Sequence, residues 1–324
     1  MVRVAWDSSF FNNNIKEIIW DNPLRLTDYT PYDASGYSNG NGPAKGRMSV
    51  PPSNRMNTIG TTGLYKLSRT TTINGTLSFN AMSQDALLIP WTTNGAINNP
   101  AVWAQFPGLK GLPRDTAEAS VHGLNGLLNL TSRPNRYFGL RTRYRFNDHR
   151  NLTPAFDATK YVRFDAVPEE TGGETEHFNI RQNTFDLTGT FNILKYTAIN
   201  VGYTYDDFNR TGRAYSDMRD YTVRVSADTI GNQYVTLRAA LEHSTRIGSG
   251  FSEASIEDGG AQPGLRYYDE SDRDRRKGTL LFVVTPVGFL DVTASYSKGT
   301  DAYTGEGHEF GLLDNDNEIG RAHV

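Results

Sequence analysis

The chain of 324 residues contains no cysteine. Disulfides, thiolate metal ligands, thiol catalysis and covalent haem attachment through a C-x-x-C-H motif are therefore excluded. Long apolar runs are missing as well: the longest is 280–284, far short of the ~18 apolar residues that a membrane-spanning helix needs. The chain is therefore neither an α-helical membrane protein nor a c-type cytochrome, and a redox cofactor would have to be carried by another protein.

An excess of charge of one sign is also lacking, since the net charge is −3 and the pI is near 6.1. No global field attracts nucleic acid. The six histidines show no metal-ligand spacing, and there is no nucleotide-binding loop, G-x-S-x-G or H-E-x-x-H motif. The sequence therefore predicts that the protein is not an enzyme, binds no metal or cofactor itself and has no nucleic-acid partner.

What the chain does contain is a rhythm of strand-like segments joined alternately by short turns and long polar loops. The turns fall near 66–69, 133–136, 194–196, 230–233 and 286–288, and the long connections cover roughly 21–54, 84–118, 150–176 and 247–275. Bacterial outer-membrane β-barrels have this asymmetry, with short periplasmic turns and long extracellular loops. The rhythm therefore favours an outer-membrane location.

Apolar and polar residues alternate in the segments 72–82, 137–147, 199–206, 221–228, 234–244 and 290–297. Because successive side chains of a strand point to opposite faces, each segment has one apolar and one polar face. We predict an all-β protein, a large antiparallel transmembrane β-barrel of which about 12–13 strands are present as part of a larger barrel. A half-buried sheet of a soluble protein would show the same alternation.

Three local features lead to smaller predictions. The apolar parity changes between Ile180 and Phe185, as a β-bulge would cause. The acidic stretch 269–274 lacks the ligand order of a calcium loop and is expected to be solvated. Aromatic residues suited to the membrane interface are Trp91, Trp103, Tyr137 and Tyr205.

The two ends of the chain do not look like natural termini. The first residues lack the features of a secretory signal, and 318–324 match the translation of a common sequencing adapter. We therefore expect 1–317 to be a fragment of a single outer-membrane β-barrel domain, with 318–324 as a non-biological, adapter-derived tail.

Several stretches of local sequence, in their order and spacing, resemble the MtrB/PioB family of outer-membrane porins. They are Ala5–Asn12 with Trp20–Pro23, Val50–Asn54, Thr70–Ile73 with Met82–Pro90, Tyr144–Asp148, Asn151–Pro154, and Leu265–Asp269 with Asp272–Arg275. The resemblance runs through most of 4–317.

This resemblance implies a closed barrel in the bacterial outer membrane that sheathes a multihaem c-type cytochrome for extracellular electron transfer. The haem then belongs to the partner, the barrel is surrounded by outer-membrane lipid, and an extracellular cytochrome is a further candidate partner. Two alternatives stay open: a general diffusion porin or solute transporter, and a secreted soluble β-sheet binding protein.

The charged residues of the polar faces are the candidate lumen-facing contacts with the partner. The resemblance gives the arginine row in 141–145 a role in pairing with haem propionates or an acidic cytochrome surface, since arginine binds carboxylates in a fork. The alternative is a solvated pore wall neutralised by neighbouring carboxylates. The candidate contacts are Arg141, Arg143, Arg145, Arg224, Arg238, Asp206, Glu242 and Asp291.

Overall fold

The computed structural model describes residues 1–21, 45–89, 114–157, 161–163, 167–169, 173–232, 234–252, 267–304 and 314–323. No helix in these ranges is long and apolar enough to cross a membrane. The strands are β1 Val2–Phe11, β2 Glu17–Asp21, β3 Lys45–Ser49, β4 Asn54–Lys66, β5 Thr71–Gln84, β6 Ala119–Ser132, β7 Phe138–Asn151, β8 Tyr161–Arg163, β9 Val167–Glu169, β10 Ile180–Leu194, β11 Thr197–Arg210, β12 Tyr215–Asn232, β13 Val235–Phe251, β14 Arg273–Val287, β15 Leu290–Tyr303 and β16 Asn315–His323.

Twelve of these strands form one antiparallel sheet in the order β1-β4-β5-β6-β7-β10-β11-β12-β13-β14-β15-β16. The prediction of an all-β antiparallel protein is therefore confirmed. Each large strand pairs with its nearest large neighbour in sequence, and the two small hairpins β2–β3 and β8–β9 lie within long connections. Within the described residues, β1 and β16 are the edges of the sheet and do not pair with each other. The sheet is thus an open part of a barrel wall.

The predicted short turns all lie at one end of the sheet, and the long connections lie at the other end. The predicted short turns join β4 to β5, β6 to β7, β10 to β11, β12 to β13 and β14 to β15. At the other end one connection is also short, because only 211–214 lie between β11 and β12. Gly212 adopts a φ of 69° there, which a glycine reaches without steric cost.

The apolar face of the sheet is uncovered. The register of β4 and β5 places Ile59 opposite Phe79, and Leu77 on the same face is 54% exposed. Leu241 on β13 is 70% exposed. Among the described residues the buried hydrophobic side chains are only Ala214, Met218, Ala240 and Tyr303. No second layer of described residues covers these rows, and an apolar face left open in this way suits contact with lipid rather than a sandwich core.

Two rows of aromatic side chains border this apolar face. At the end of the sheet that carries the long connections, aromatic side chains of the apolar face include Tyr144, Phe146, Tyr205, Tyr221 and Tyr296. In or beside the short turns lie Tyr65, Tyr137, Tyr196, Tyr234 and Phe289. Aromatic girdles at both interfaces are a feature of membrane barrels. The predicted interfacial residues Tyr137 and Tyr205 belong to these rows, whereas Trp91 and Trp103 lie outside the described residues.

The predicted bulge between Ile180 and Phe185 is wrong. β10 pairs with both neighbours in continuous register from Ile180 to Phe191, and the register shift comes only between Phe191 and Leu194. Ile180 lies on the polar face near the end of the strand. Above the membrane the two faces no longer have to differ in polarity, so an apolar residue can occupy this position.

A charge on the uncovered face should destabilise the membrane-inserted protein. We expect Leu77→Arg to cost about 2–4 kcal/mol, because the position lies near the middle of the apolar band of β5. Unfolding by urea in lipid vesicles, followed by the mobility of unboiled protein in gels, would measure this. Thr76→Arg is the matched control, since Thr76 is exposed on the polar face and should change the unfolding free energy little. Equal destabilisation by both variants would contradict the assignment of the two faces.

Candidate partner-binding surface on the polar face

Arg141, Arg143 and Arg145 project from the polar face of β7, as predicted. Their spacing of two residues places them in one row along the strand, between β6 and β10. We call these three residues the arginine strip.

The arginine strip has little anionic compensation. The Arg143 Nε donates a hydrogen bond to Asn129 Oδ1 at 3.3 Å, which is a neutral partner. Arg145 Nη2 lies 3.5 Å from Asp186 Oδ2, and the Arg145 side chain is 53% exposed. Among the described residues, Arg141 makes neither a hydrogen bond nor an ion pair. The three cations of the arginine strip therefore have one carboxylate partner within the described ranges.

Arg145 also begins a row of polar residues that crosses the face from strand to strand. The register places the following residues opposite one another in succession: Arg145, Thr184, Asp206, Asp220, Arg246, Arg273 and Tyr303. We call this row the polar belt. It brings one member of the arginine strip and the predicted contact Asp206 onto one continuous surface.

Two carboxylates face each other in the middle of the polar belt, and both are supplied with donors. Asp206 accepts hydrogen bonds from Gln182 Nε2 at 3.0 Å and from Thr184 Oγ1 at 2.8 Å. Asp220 accepts one from Ser244 Oγ at 2.8 Å and lies 3.4 Å from Arg273 Nη2. These donors offset the repulsion of two like charges at a directly opposed position. No metal-type cluster of three His or carboxylate side chains occurs in the described part of the chain.

The remaining predicted contacts are dispersed. Arg224 and Glu242 lie opposite each other in the register and, with Lys277, line a small cavity of about 70 Å³. Arg238 Nε lies 2.5 Å from Asp228 Oδ1, and Asp291 accepts a hydrogen bond from Thr285 Oγ1 next to a short turn. The structure thus does not gather all eight predicted residues into one site.

The prediction that 269–274 is a solvated loop is wrong. Glu270 and Ser271 are 0% and 1% exposed, and they are the most deeply buried side chains among the described residues. They belong to a tight turn of residues 267–272, closed by Ser271 N donating to Tyr267 O at 3.0 Å. We call this the buried turn.

The buried turn packs onto the polar face at the long-connection end through arginines. Arg246 donates to the carbonyl oxygens of Asp269 at 2.6 Å and Tyr268 at 3.2 Å. Arg213 forms ion pairs with both Asp269 and Glu270. Gly248 is needed for this approach, because a Cβ there would lie 2.8 Å from Tyr215 and 3.2 Å from the Glu270 carbonyl oxygen. The buried turn therefore covers part of the polar face at this end of the sheet.

Burial also changes the chemistry of Glu270, which lies in the turn above the membrane-spanning strands. Desolvation raises the pKa of its carboxyl, and the nearby Arg213 guanidinium only partly opposes this. The protonated carboxyl is thus favoured in the packed turn relative to an exposed one.

Sequence reasoning missed the buried turn because it ended the flanking strands too early. The prediction for β13 stopped at 244 and placed 247–275 in a loop, whereas β13 extends to Phe251 and β14 begins at Arg273. Continuing the alternation would have placed Arg246, Arg273 and Arg275 on the polar face. Nothing in the sequence pattern indicated that Glu270 itself is buried.

An uncovered apolar face bordered by aromatic rows, backed by a charged polar face, defines a β-barrel protein of the outer membrane. The chain belongs to the family of outer membrane beta-barrel porins MtrB/PioB, whose family model matches residues 1–320. The predicted family, fold class and bacterial outer-membrane location are thereby confirmed. The alternative of a secreted soluble β-sheet protein is wrong.

Two solved structures match this chain at low sequence identity. A mutant of the ferric enterobactin receptor PfeA from Pseudomonas aeruginosa is 11% identical with a TM-score of 0.51, and the match covers 97% of this chain and 41% of the receptor. OmpT of Vibrio cholerae in its trimer form is 10% identical with a TM-score of 0.36, covering 99% of this chain and 97% of that one. A comparison with curated protein sequences gave no match.

The raised pKa of Glu270 predicts that the buried turn packs more firmly in acid. The stabilisation that the protonated Glu270 gives to the packed turn is complete below the ordinary glutamate pKa of 4.5. It is lost as the pH rises through the raised pKa. Hydrogen exchange at the Gly248 amide, which donates to Asp272 Oδ1 at 2.6 Å, would report this. Protection corrected for intrinsic exchange should rise as the pH is lowered from 7 to 4.5.

The matched control is Glu270→Gln, which keeps the shape of the side chain but cannot titrate. Its protection should be independent of pH over the same interval. The same slope in both proteins, or weaker protection of the wild type in acid, would contradict the assignment.

Proposed function

We propose that this outer-membrane barrel holds a multihaem c-type cytochrome and so forms the sheath of an electron path across the outer membrane. The observation that carries the proposal is the arginine strip, a row of three cations, two of them exposed, with one carboxylate partner on the polar face of a porin-family barrel. In this proposal the haem belongs to the cytochrome, and the barrel binds no cofactor and catalyses nothing.

The chemistry of the arginine strip suits a partner that presents carboxylates. A guanidinium offers two parallel N–H donors, which match a carboxylate such as a haem propionate or an acidic side chain. Arg141, which has no described partner, and the half-exposed Arg145 keep this capacity available. Several other cations of the polar face are already paired, for example Arg238 with Asp228 and Arg275 with Asp301. Arg224 and Lys277 instead share the neighbouring Glu242, whereas β7 carries three cations along one strand with one carboxylate partner among the described residues.

The two faces supply the physical separation that such a conduit needs. The exposed apolar side chains contact lipid, and the polar face surrounds a space in which a charged, water-soluble partner can lie. A wall without redox groups isolates the electron carrier from lipid while leaving its ends accessible at the two rims.

Neutralising the arginine strip should weaken the complex. We expect Arg141→Gln, Arg143→Gln and Arg145→Gln together to lower the affinity for the cytochrome about tenfold, taking about 0.5 kcal/mol for each exposed ion pair. The assay is co-purification and titration of the haem-stained partner with the full-length natural protein containing this sequence, at two salt concentrations. The wild-type affinity should fall with salt more steeply than that of the variant.

Arg150→Gln is the matched control, because Arg150 lies on the opposite face of the same strand and pairs with Asp148 at 2.7 Å. It should leave the affinity unchanged. A host without a multihaem cytochrome gene near this one, or a reconstituted barrel with a large steady ionic current and no cytochrome requirement, would contradict the proposal and favour a diffusion porin.

A further inference from the structure

A groove of about 1130 Å³ lies on the apolar face of β11–β15. Its floor is formed by Val223, Val225, Ala239, Gly278 and Leu280. Gly278 leaves a notch in the floor, where an added Cβ would lie 3.6 Å from the Leu241 side chain. Because this face contacts lipid, the groove is a place where acyl chains can pack.

One end of the groove is basic. His243, Arg276 and Lys298 line it, and all three side chains are exposed. They lie on adjacent strands: Arg276 is opposite His243 in the register, and Lys298 is opposite Gly278. The three residues therefore form one contiguous group, which we call the basic rim.

The basic rim lies at the upper boundary of the apolar band. On β15 the face carries Leu290, Val292, Ala294 and Tyr296 before Lys298. Eight residues at ~3.3 Å each, tilted by ~40°, give about 20 Å of height, close to the ~25 Å apolar band of an outer-membrane barrel. β13 and β14 reach His243 and Arg276 after the same number of positions. Because the short turns are periplasmic, the rim lies at the outer leaflet.

The cation at the same level of β12 has an ion-pair partner. Arg219 lies 3.6 Å from Asp207. Neither Arg276 nor Lys298 forms an ion pair with a described residue.

The acidic side chains of the same face near the basic rim are Asp274, Asp316 and Glu318. Asp274 accepts a hydrogen bond from Thr245 at 2.7 Å. Glu318 accepts one from Tyr296 at 2.8 Å and lies opposite Lys298 in the register. Arg276 and Lys298 are nevertheless exposed cations that form no ion pair among the described residues, so both can bind an anionic group.

We propose that this groove binds lipopolysaccharide, with an acyl chain over Gly278 and a lipid A phosphate on Arg276 and Lys298. The phosphorylated glycolipid of the outer leaflet combines an anionic headgroup with acyl chains at the height where the structure combines a basic rim with an apolar groove. The inference is independent of the cytochrome proposal, because it concerns the opposite face of the sheet.

The test is retention of Kdo2–lipid A by the full-length natural protein in detergent, measured by native mass spectrometry and titration. Arg276→Ser with Lys298→Ser should weaken binding about 25-fold, at about 5-fold for each cation near a charged lipid surface. Gly278→Leu, which fills the notch and suits a strand, should weaken binding with the basic rim intact. Arg219→Ser, the matched control at a compensated cation, should leave binding unchanged.

Two further probes distinguish binding of a lipid-attached phosphate from binding of the acyl chains alone or of free phosphate. Dephosphorylated lipid A should bind as weakly to the wild type as Kdo2–lipid A binds to the double variant, and inorganic phosphate should not compete. The proposal is overturned by wild-type affinity in the double variant, by an equal loss in Arg219→Ser, or by tight binding of either probe.

Discussion

The hydrogen-bonded ladder between neighbouring strands is the constraint on which the rest of this structure depends. Hydrocarbon offers no partner to a backbone amide or carbonyl, so a chain that crosses the membrane as strands must satisfy each one on an adjacent strand. The continuous registers from β4 to β15 do this, with shifts only beside short turns. Once the ladder holds the strands, period-2 alternation assigns every side chain to lipid or to the polar side.

The same constraint explains why a molecule with almost no core can be stable. Its four buried hydrophobic side chains among the described residues could not stabilise a soluble domain of this size. The apolar side chains are instead removed from water by lipid, and the charged residues are left on the opposite face. Where strands rise above the membrane, that face gains a packed region of its own, in which arginines of β13 and of the 211–214 connection hold the buried turn.

The alternation of apolar and polar residues could be recognised from the sequence wherever one face of a strand contacts lipid and the other contacts water. The prediction of 72–82 as a strand with Leu77 outward matches β5, and the arginine row of 141–145 lies on the polar face as expected. Alternation was misleading where the membrane ends. Ile180 looked like a change of parity, and 246–251 looked like a loop, because residues above the membrane no longer have to be apolar on one side. The strands nevertheless continue, since backbone pairing does not depend on the side chains.

The sequence by itself determined the fold class, the family, the membrane-facing rows and the placement of the arginine strip. Each of these follows from the period-2 pattern or from short stretches of local sequence. The tertiary structure alone decided what lies beside what across the sheet. It placed Asp206 opposite Asp220, assigned one carboxylate to three arginines, buried Glu270 under Arg213 and joined His243, Arg276 and Lys298 into one rim. These are relations between strands, and they depend on register and on how a turn packs back on the sheet. A single segment of sequence contains neither.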